Sequence, residues 1–404
     1  MMKMTPKDKN IHLIDSRTTP SVAGSWVQGS LPEGCRLCIH GMKMVYFMGG
    51  DCSLPSRCKW YCPLSDERKS SSAHFINELP IKNPTNLNAV VKQLVLEAKA
   101  MDAAGMSITG GDPLSTSAKV DWVCAIIKAI KIELTDEFHV HLYTSGTAFD
   151  NLTADKLEQA GLDDLRFHPA EKDFHRLEFA TGRHYTVAAE VPVIPTLENH
   201  AYLLHLADHL DMIGADFLNL NEFEMCATNR DALIARGFTL KENSLATVAH
   251  SHEYANKFLS EFSPRGGLSI HFCSVLSKDS VQIRQRYLRR ANKIRFPYEV
   301  VNEDGCLLFI RIEGAASELS QLNLALLESA GMPESMIGLN LARGVLDVPS
   351  FLAEDENFID LLNEYKLKAG ILEIIPFREP NLSQIREYTP LMNNIASRIL
   401  RKEK

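Results

Sequence analysis

The chain contains no run of about eighteen apolar residues, the length a membrane-spanning helix needs, so no span is expected. Its start, Met1-Met-Lys-Met-Thr-Pro-Lys-Asp-Lys9, lacks the apolar stretch of a secretory signal, and the expected location is the cytoplasm. No Gly-x-Gly-x-x-Gly follows a strand-like segment and no phosphate-binding loop occurs, which excludes the common dinucleotide and nucleotide sites. Internal repeats and low-complexity tracts are also missing. Positive charge is in the minority: the formal net charge is −8, which weighs against nucleic acid as the main partner. One segment runs the other way, Arg284-Gln-Arg-Tyr-Leu-Arg-Arg290 with Lys293 and Arg295. Its plainest reading is a solvated helix face, and the less favoured one is a patch for an acidic partner or RNA.

What is present suffices for one large domain and a smaller one: 404 residues, 45% hydrophobic and 23% charged. Nine cysteines occur, at positions 35, 38, 52, 58, 62, 124, 226, 273 and 306. An odd number in a cytosolic chain argues against a disulfide framework. Five of the nine fall between residues 35 and 62, and such clustering points to metal chemistry. Cys124, on the apolar face of an expected helix, reads as an ordinary buried thiol.

Short apolar segments bounded by turn residues predict strands at Met44–Met48, Met106–Thr109, His139–Thr144, Asp164–His168, Val187–Ile194, Phe217–Asn221 and Leu268–Phe272. Helical spacing predicts helices at Leu87–Ala104, Val120–Ile132, Thr153–Ala160, Glu198–Ile213 and Leu245–Phe262, the third closed by Gly161. This alternation implies an α/β fold with parallel strands: a partial (β/α) barrel of six or seven βα units, or a wound open sheet. Past residue 290 the pattern changes. Tyr298–Asn302 and Leu307–Ile312 flank a hairpin signal at Glu303-Asp-Gly305, followed by a helix over Ser317–Ala330 and a strand over Ile371–Pro376. The expected organisation is an N-terminal arm over 1–41, a barrel over 42–290 and a small C-terminal α+β domain over 291–404.

Two motifs carry chemistry. Cys52-Ser-Leu-Pro-Ser-Arg-Cys58-Lys-Trp-Tyr-Cys62 follows the first strand, and Thr109-Gly-Gly-Asp-Pro113 follows the second. In a parallel sheet both lie on the same functional rim. Three clustered thiolates can ligate three irons of a [4Fe–4S] cluster and leave one iron open to a ligand's amine and carboxylate. A Gly-Gly-acid-Pro turn exposes backbone to a small charged ligand, although most such turns are only turns.

At these residues the sequence resembles the radical S-adenosylmethionine superfamily. The likeness rests on the three-cysteine loop after strand one, with Tyr61 directly before its last cysteine. It rests also on Gly110-Gly-Asp-Pro113, similar to that family's Gly-Gly-Glu-Pro segment. Trp60-Tyr-Cys-Pro-Leu-Ser65, Leu165-Arg-Phe-His-Pro169 and Asn219-Leu-Asn-Glu222 look like an archaeal branch related to pyruvate formate-lyase activating enzymes. The spacing departs from the usual three then two intervening residues, being five then three here. A rival alignment through Cys58 and Cys62 makes Ser65 the third ligand, a poor one for iron. The resemblance implies a [4Fe–4S] cluster on Cys52, Cys58 and Cys62. It implies S-adenosylmethionine held by Tyr61 at the adenine and by Gly110, Gly111, Asp112 and Pro113 at the methionine ammonium. Ser145, Arg166, His168 and Ile194 line the rest of the pocket by position. The implied activity is reductive cleavage of the cofactor to a 5′-deoxyadenosyl radical that abstracts hydrogen from a substrate. The implied partners are a reductant of flavodoxin or ferredoxin type and a substrate that is a glycyl radical enzyme, an RNA or a small metabolite. The alternative is a degenerate barrel acting as a metal-binding scaffold or electron carrier.

A second metal site is conceivable from Cys35-Arg-Leu-Cys38 with His271-Phe-Cys273, binding zinc or an auxiliary cluster. An unmetallated set is an equal reading, since no sequence rule joins the two pieces. Cys226 and Cys273 follow strand ends and read as buried thiols or as hydrogen-atom donors. Alternation aims Asn219 and Asn221 to one side of their strand and Glu222 and Glu224 to the other.

Overall fold

The computed structural model describes residues 17–52, 58–69, 71–378 and 385–391. They divide into two compact units at Ile283/Arg284, a few residues before the expected boundary, with Ala100–Asp102 grouped with the second. Residues 17–41 belong to the first unit and are not a separate arm.

The first unit is built on one eleven-stranded sheet. Its strands are β1 (Thr18–Pro20), β2 (Trp26–Gln28), β3 (Lys43–Met48), β4 (His74–Ile76), β5 (Leu79–Pro80), β6 (Gly105–Thr109), β7 (His139–Thr144), β8 (Asp164–Phe167), β9 (Thr186–Val193), β10 (Phe217–Glu222) and β11 (Ser269–Cys273). The spatial order is β1-β2-β11-β10-β9-β8-β7-β6-β3-β4-β5, an open sheet whose two ends do not meet. The run from β3 through β6 to β11 is parallel throughout. These seven strands are the ones the apolar runs predict, each within two residues. The antiparallel strands at both edges, β1, β2, β4 and β5, carry too short a pattern to be read in advance.

The helices are α1 (Glu33–Ile39), α2 (Asp66–Lys69), α3 (Leu87–Met101), α4 (Ser117–Glu133), α5 (Asn151–Ala160), α6 (Leu197–Met212), α7 (Arg230–Ile234), α8 (Ser251–Glu261) and the single turn α9 (Val275–Ser277). Local chemistry sets their ends. Thr116, Asp150 and Thr196 accept hydrogen bonds from the backbone three residues on, capping α4, α5 and α6. Gly161 closes α5 in the left-handed conformation, as its sequence position predicts. The helix expected from Leu245 begins only at Ser251. His250 has φ +70, and Thr247 and Val248 bridge to Glu224 and Leu240.

The two faces of the parallel strands differ in chemistry. One face carries Val140, Leu142, Leu165, Phe167, Val191, Leu218, Leu220, Ile270 and Phe272, all buried and apolar. The period of two puts His139, His141 and Tyr143 of β7 on the other face. With them lie Asp164 and Arg166 of β8, Glu190 of β9, Asn219 and Asn221 of β10, and His271 and Cys273 of β11, since the strands run in register. Helix α1 packs against β3, β6 and β7 and approaches this polar face: a Cβ on Gly34 would reach Arg166 Nη2 at 2.6 Å and His141 Nδ1 at 2.7 Å. The stem that carries α1 is fastened by β2, whose Trp26 stacks on Phe272 of β11 at 5.2 Å.

The second unit is α+β, as expected past residue 290. It holds α10 (Arg284–Ile294), β12 (Val300–Val301), β13 (Leu307–Glu313), α11 (Ala316–Glu328), β14 (Gly338–Asn340), β15 (Val345–Val348), α12 (Glu356–Glu364), β16 (Lys368–Ile374) and β17 (Ile385–Pro390). The sheet is antiparallel, ordered β14-β15-β13-β16-β17, with β12 on β13 forming the expected hairpin. Ile310, Ile312, Leu319, Leu322, Leu346 and Leu362 form its apolar core. The basic segment on α10 is only partly solvated: Arg290 is buried over the Phe377 ring and donates to the Pro376 carbonyl.

Candidate active site

Strands β3 and β6 end side by side, and their following loops meet. Gly110 and Gly111 pack so tightly on the chain leaving β3 that a Cβ on Gly111 would collide with the Asp51 carbonyl, and one on Gly110 with that of Gly49. Gly111 N donates to Gly49 O and Asp112 N to Asp51 O, both at 2.8 Å. The glycine turn thus holds the root of the cysteine loop, the residue next to Cys52.

Cys52, Cys58 and Cys62 all line one cavity of about 370 Å³ with Gly110, Gly111, Asp112, Tyr143, Ser145, His168, Glu190 and Asn221. Cys58 to Cys62 form a helical turn, Cys62 N donating to Cys58 O at 2.8 Å. Burial first, then the neighbouring Cys62 and Asp112 charges, raises the Cys52 thiol pKa. Among the described residues these three sulfurs do not gather within 4.8 Å of one another. A single tetrahedral ion with bonds of about 2.3 Å would require that. Ser65, the rival third ligand, is instead a local cap, accepting from Arg68 N at 3.3 Å.

Asp112 is buried yet fully engaged. It accepts from Thr144 Oγ1 at 2.9 Å, from Leu114 N at 3.1 Å and from Ser145 Oγ. Tyr61 Oη lies 2.8 Å from His168 Nε2, and His168 Nδ1 lies 2.9 Å from the Glu190 carbonyl. A carbonyl only accepts, so Nδ1 carries a proton, and the neutral ring's Nε2 accepts from Tyr61. Tyr61 packs edge-on to Trp60 and Phe223, and Asn229 Nδ2 donates to its carbonyl. Beyond Tyr61 an open groove of about 880 Å³ is lined by Trp60, Ile194, Tyr202, His205, Arg236 and Phe238. The Cys226 sulfur lies 3.8 Å from the carbonyl of Pro63, which borders the cysteine-lined cavity.

Two of the expected pocket residues lie elsewhere. Ile194 faces the outer groove, on the far side of Tyr61. Arg166 is one layer deeper, fully buried. It donates to Asp164 Oδ2 at 2.7 and 2.9 Å and to Glu190 Oε2 at 2.9 Å. Pro113 is buried directly behind the turn and does not border the cavity. Glu190 is a site residue the sequence does not announce, a lone acid in an apolar strand. Burial works to raise its carboxyl pKa, but Arg166, the Asn221 amide and Lys43 outweigh it, and the group is held at about 2.

Cys35, Cys38, His271 and Cys273 do meet, because β2 returns α1 to the polar face. They line a cavity of about 90 Å³ with Arg166, Lys278 and Gln282, below the first and sharing Tyr143, Glu190 and Asn221 with it. They do not bring three ligand atoms within 4.8 Å. Cys38 Sγ donates to Gln282 Oε1 at 2.8 Å, Gln282 Nε2 donates to Cys273 Sγ at 3.3 Å, and His271 Nδ1 lies 2.7 Å from Asn219 Oδ1. Burial raises the Cys35 pKa to about 12 and that of Cys273 to about 11. Asn219 and Asn221 thus face this interior, while Glu222 accepts from Val275 N and Glu224 pairs with Lys278, which lines the same cavity.

No family model matches the chain. A curated relative, named as a candidate glycyl-radical enzyme activating enzyme of Methanocaldococcus jannaschii, is 37% identical over 290 residues, 69% of this chain and 72% of the relative. Two solved structures of the radical S-adenosylmethionine methyltransferase TsrM from Kitasatospora setae also align. One, with tryptophan and a cofactor analogue, has a TM-score of 0.30 and 13% identity over 48% of this chain and 38% of that one. The other, with cobalamin and a [4Fe–4S] cluster, has a TM-score of 0.32 and 11% identity over 61% of this chain and 52% of that one. Both fits are too loose to place any residue. No helix among the described residues is long and apolar enough to cross a membrane. The relative's identity and coverage decide the family: the chain belongs to the radical S-adenosylmethionine superfamily of enzymes, which use a [4Fe–4S] cluster and S-adenosylmethionine, in the branch related to glycyl-radical enzyme activating enzymes.

Proposed function

We propose that this chain cleaves S-adenosylmethionine reductively to activate a partner protein by hydrogen abstraction. The reading rests on one observation: the three loop cysteines and Gly110, Gly111 and Asp112 of the glycine turn line a single cavity at the ends of β3 and β6. Cys52, Cys58 and Cys62 are the thiolates for the cluster, and their accessible loop position suits a group loaded after folding. When bound, the cluster supplies the electron that breaks the cofactor's carbon–sulfur bond, giving methionine and a 5′-deoxyadenosyl radical. The backbone of Gly110 and Gly111 meets the methionine end, where Asp112 keeps Thr144 and Ser145 in place. Tyr61, held by His168, offers its ring edge to the adenine and separates cofactor from groove. His168 and Glu190 complete the wall. Arg166 acts from below by fixing Glu190. Ile194 belongs to the groove, which is open enough to receive a loop of a protein substrate.

The seven parallel strands are read as a partial barrel, open between its edge strands, with the polar face inside. The reductant is a small flavodoxin-type or ferredoxin-type electron carrier. Electron paramagnetic resonance on the anaerobically reconstituted, reduced chain, with and without S-adenosylmethionine, tests this reading. A four-iron signal that changes with the cofactor, together with methionine and 5′-deoxyadenosine production, is expected. A cluster indifferent to the cofactor would sink it and leave the metal-binding scaffold.

A further inference from the structure

Away from the loop cysteines, the polar face holds a second set of groups with metal-ligand chemistry. His139 and His141 stand two apart on β7 and so share that face. Asp164 sits opposite His141 in the β7–β8 register. One ring nitrogen of each histidine and one oxygen of Asp164 all lie within 4.8 Å of one another. His141 is 0% and Asp164 1% exposed. His139 Nε2, both ring nitrogens of His141 and Asp164 Oδ1 have no hydrogen-bond partner among the described residues. Each such buried orphan costs about 1–3 kcal/mol, and the three residues that carry them each bring one ligand atom within 4.8 Å of the others, which calls for a shared ligand.

The surroundings choose the ligand's class. Burial first, then the Arg166 charge, keeps His141 far below its ordinary pKa, and burial likewise lowers His139. A neutral imidazole presents a ring-nitrogen lone pair, as metal coordination requires. Asp164 is divided: Oδ2 takes both donors of Arg166, at 2.9 and 2.7 Å, and Oδ1 is left over. A carboxylate oriented by a guanidinium on one oxygen is the arrangement that supports a metal ligand on the other. Arg166 is itself paired with Glu190 at 2.9 Å. Helix α1 leaves room only because Gly34 has no side chain.

We propose that His139, His141 and Asp164 bind a zinc ion on the interior face, distinct from the loop-cysteine cavity. Two imidazoles and one carboxylate form a nitrogen and oxygen set that zinc accepts without geometric demand. The ion ties β7 to β8 and holds Asp164, and through it Arg166, in place.

The test uses the full chain with Cys52, Cys58 and Cys62 changed to Ala, so that the loop takes no metal. Zinc is counted by mass spectrometry after exhaustive dialysis, and cobalt(II) is titrated into metal-stripped protein. The expected result is about one zinc per chain and a cobalt spectrum with ligand-field bands but no thiolate charge-transfer band. His139→Ala, at a half-exposed position that should fold, is expected to lose the zinc, and its melting temperature should no longer rise when zinc is added. His139→Gln and a circular dichroism spectrum check that folding is intact. Absence of stoichiometric zinc would overturn the site, as would zinc retained in folded His139→Ala or a thiolate band from Cys35, Cys38 or Cys273. Because the loop cysteines are gone, neither outcome depends on radical chemistry.

Discussion

The two cysteine groups share three wall residues, Tyr143, Glu190 and Asn221, and differ in almost everything that governs metal chemistry. The upper three sit on a loop at strand ends, exposed or half-buried, beside a cavity large enough for a cofactor. In the lower set Cys35, on α1, and Cys273 are buried, and Cys38 is half-buried. Two of its thiols are pushed to about 12 and about 11 by burial, and an amide stands between Cys38 and Cys273. A thiol that resists ionisation is a poor metal ligand and a poor nucleophile. Cysteine number and proximity do not by themselves set access, which depends on whether the thiols hang from a loop or are packed under a helix.

The sharpest way to break this contrast is to exchange ligands. Cys52→Ala, Cys58→Ala and Cys62→Ala should each lose the cluster's visible absorbance and reduce 5′-deoxyadenosine formation to background. Cys35→Ser with Cys273→Ser should keep both, and loss of iron in that pair would mean the lower thiols hold the cluster. Next in size is the shared wall. Glu190→Gln leaves Arg166 short of a charge partner, and breaking a buried pair costs about 3–5 kcal/mol, readable by chemical denaturation near neutral pH. The Glu190 carboxyl is lowered to about 2 in the folded chain from its ordinary value of 4.5. Its stabilisation is fully present above 4.5 and is lost as pH falls from there towards 2. The variant should lack that part of the acid dependence.

Gly111→Ala comes third. The new methyl meets the Asp51 carbonyl, and backbone adjustment of this kind costs about 1–3 kcal/mol. Weaker S-adenosylmethionine binding by calorimetry, with iron content kept, is the expected outcome. Unchanged affinity would separate the glycine turn from the cofactor. The smallest effect concerns accessibility in the metal-free chain. Iodoacetamide at mildly alkaline pH should label Cys52 readily and leave Cys35 and Cys273 unlabelled until denaturant is added, as mapped by peptide mass spectrometry. Early labelling of Cys35 would show that α1 does not seal the interior.

The same contrast explains what was legible in advance. The seven parallel strands are readable because each carries buried apolar residues in a short segment bounded by turn residues. The loop cysteines and the glycine turn are contiguous in sequence and need no tertiary knowledge. The interior polar face is harder to read, because its members are single residues spread over β7 to β11 and only register brings them together. The alternation His139-Val-His141-Leu-Tyr143 is a signal that goes unread when strands are sought as apolar segments. Arg166 and Ile194 show the limit of reasoning from strand ends: a difference of one layer moves Arg166 below the cavity, and the Tyr61 ring puts Ile194 outside it. The position of Cys35 depended on β2, three residues long, too short to be seen by pattern.

That short strand has a consequence for the order of assembly. β2 lies against β11, and the adjoining Ser30 N donates to Ser269 Oγ across 239 residues of chain. During synthesis the N-terminal segment emerges first, yet its pairing edge is among the last pieces of the sheet to leave the ribosome. Contacts this distant in sequence are slow to form. Until β11 arrives, the β2 stem that leads into α1 lacks its partner in the sheet, and Cys35 and Cys38 stay more reachable in the nascent chain. A nascent chain truncated before Ser269 is therefore expected to expose thiols that the finished protein hides.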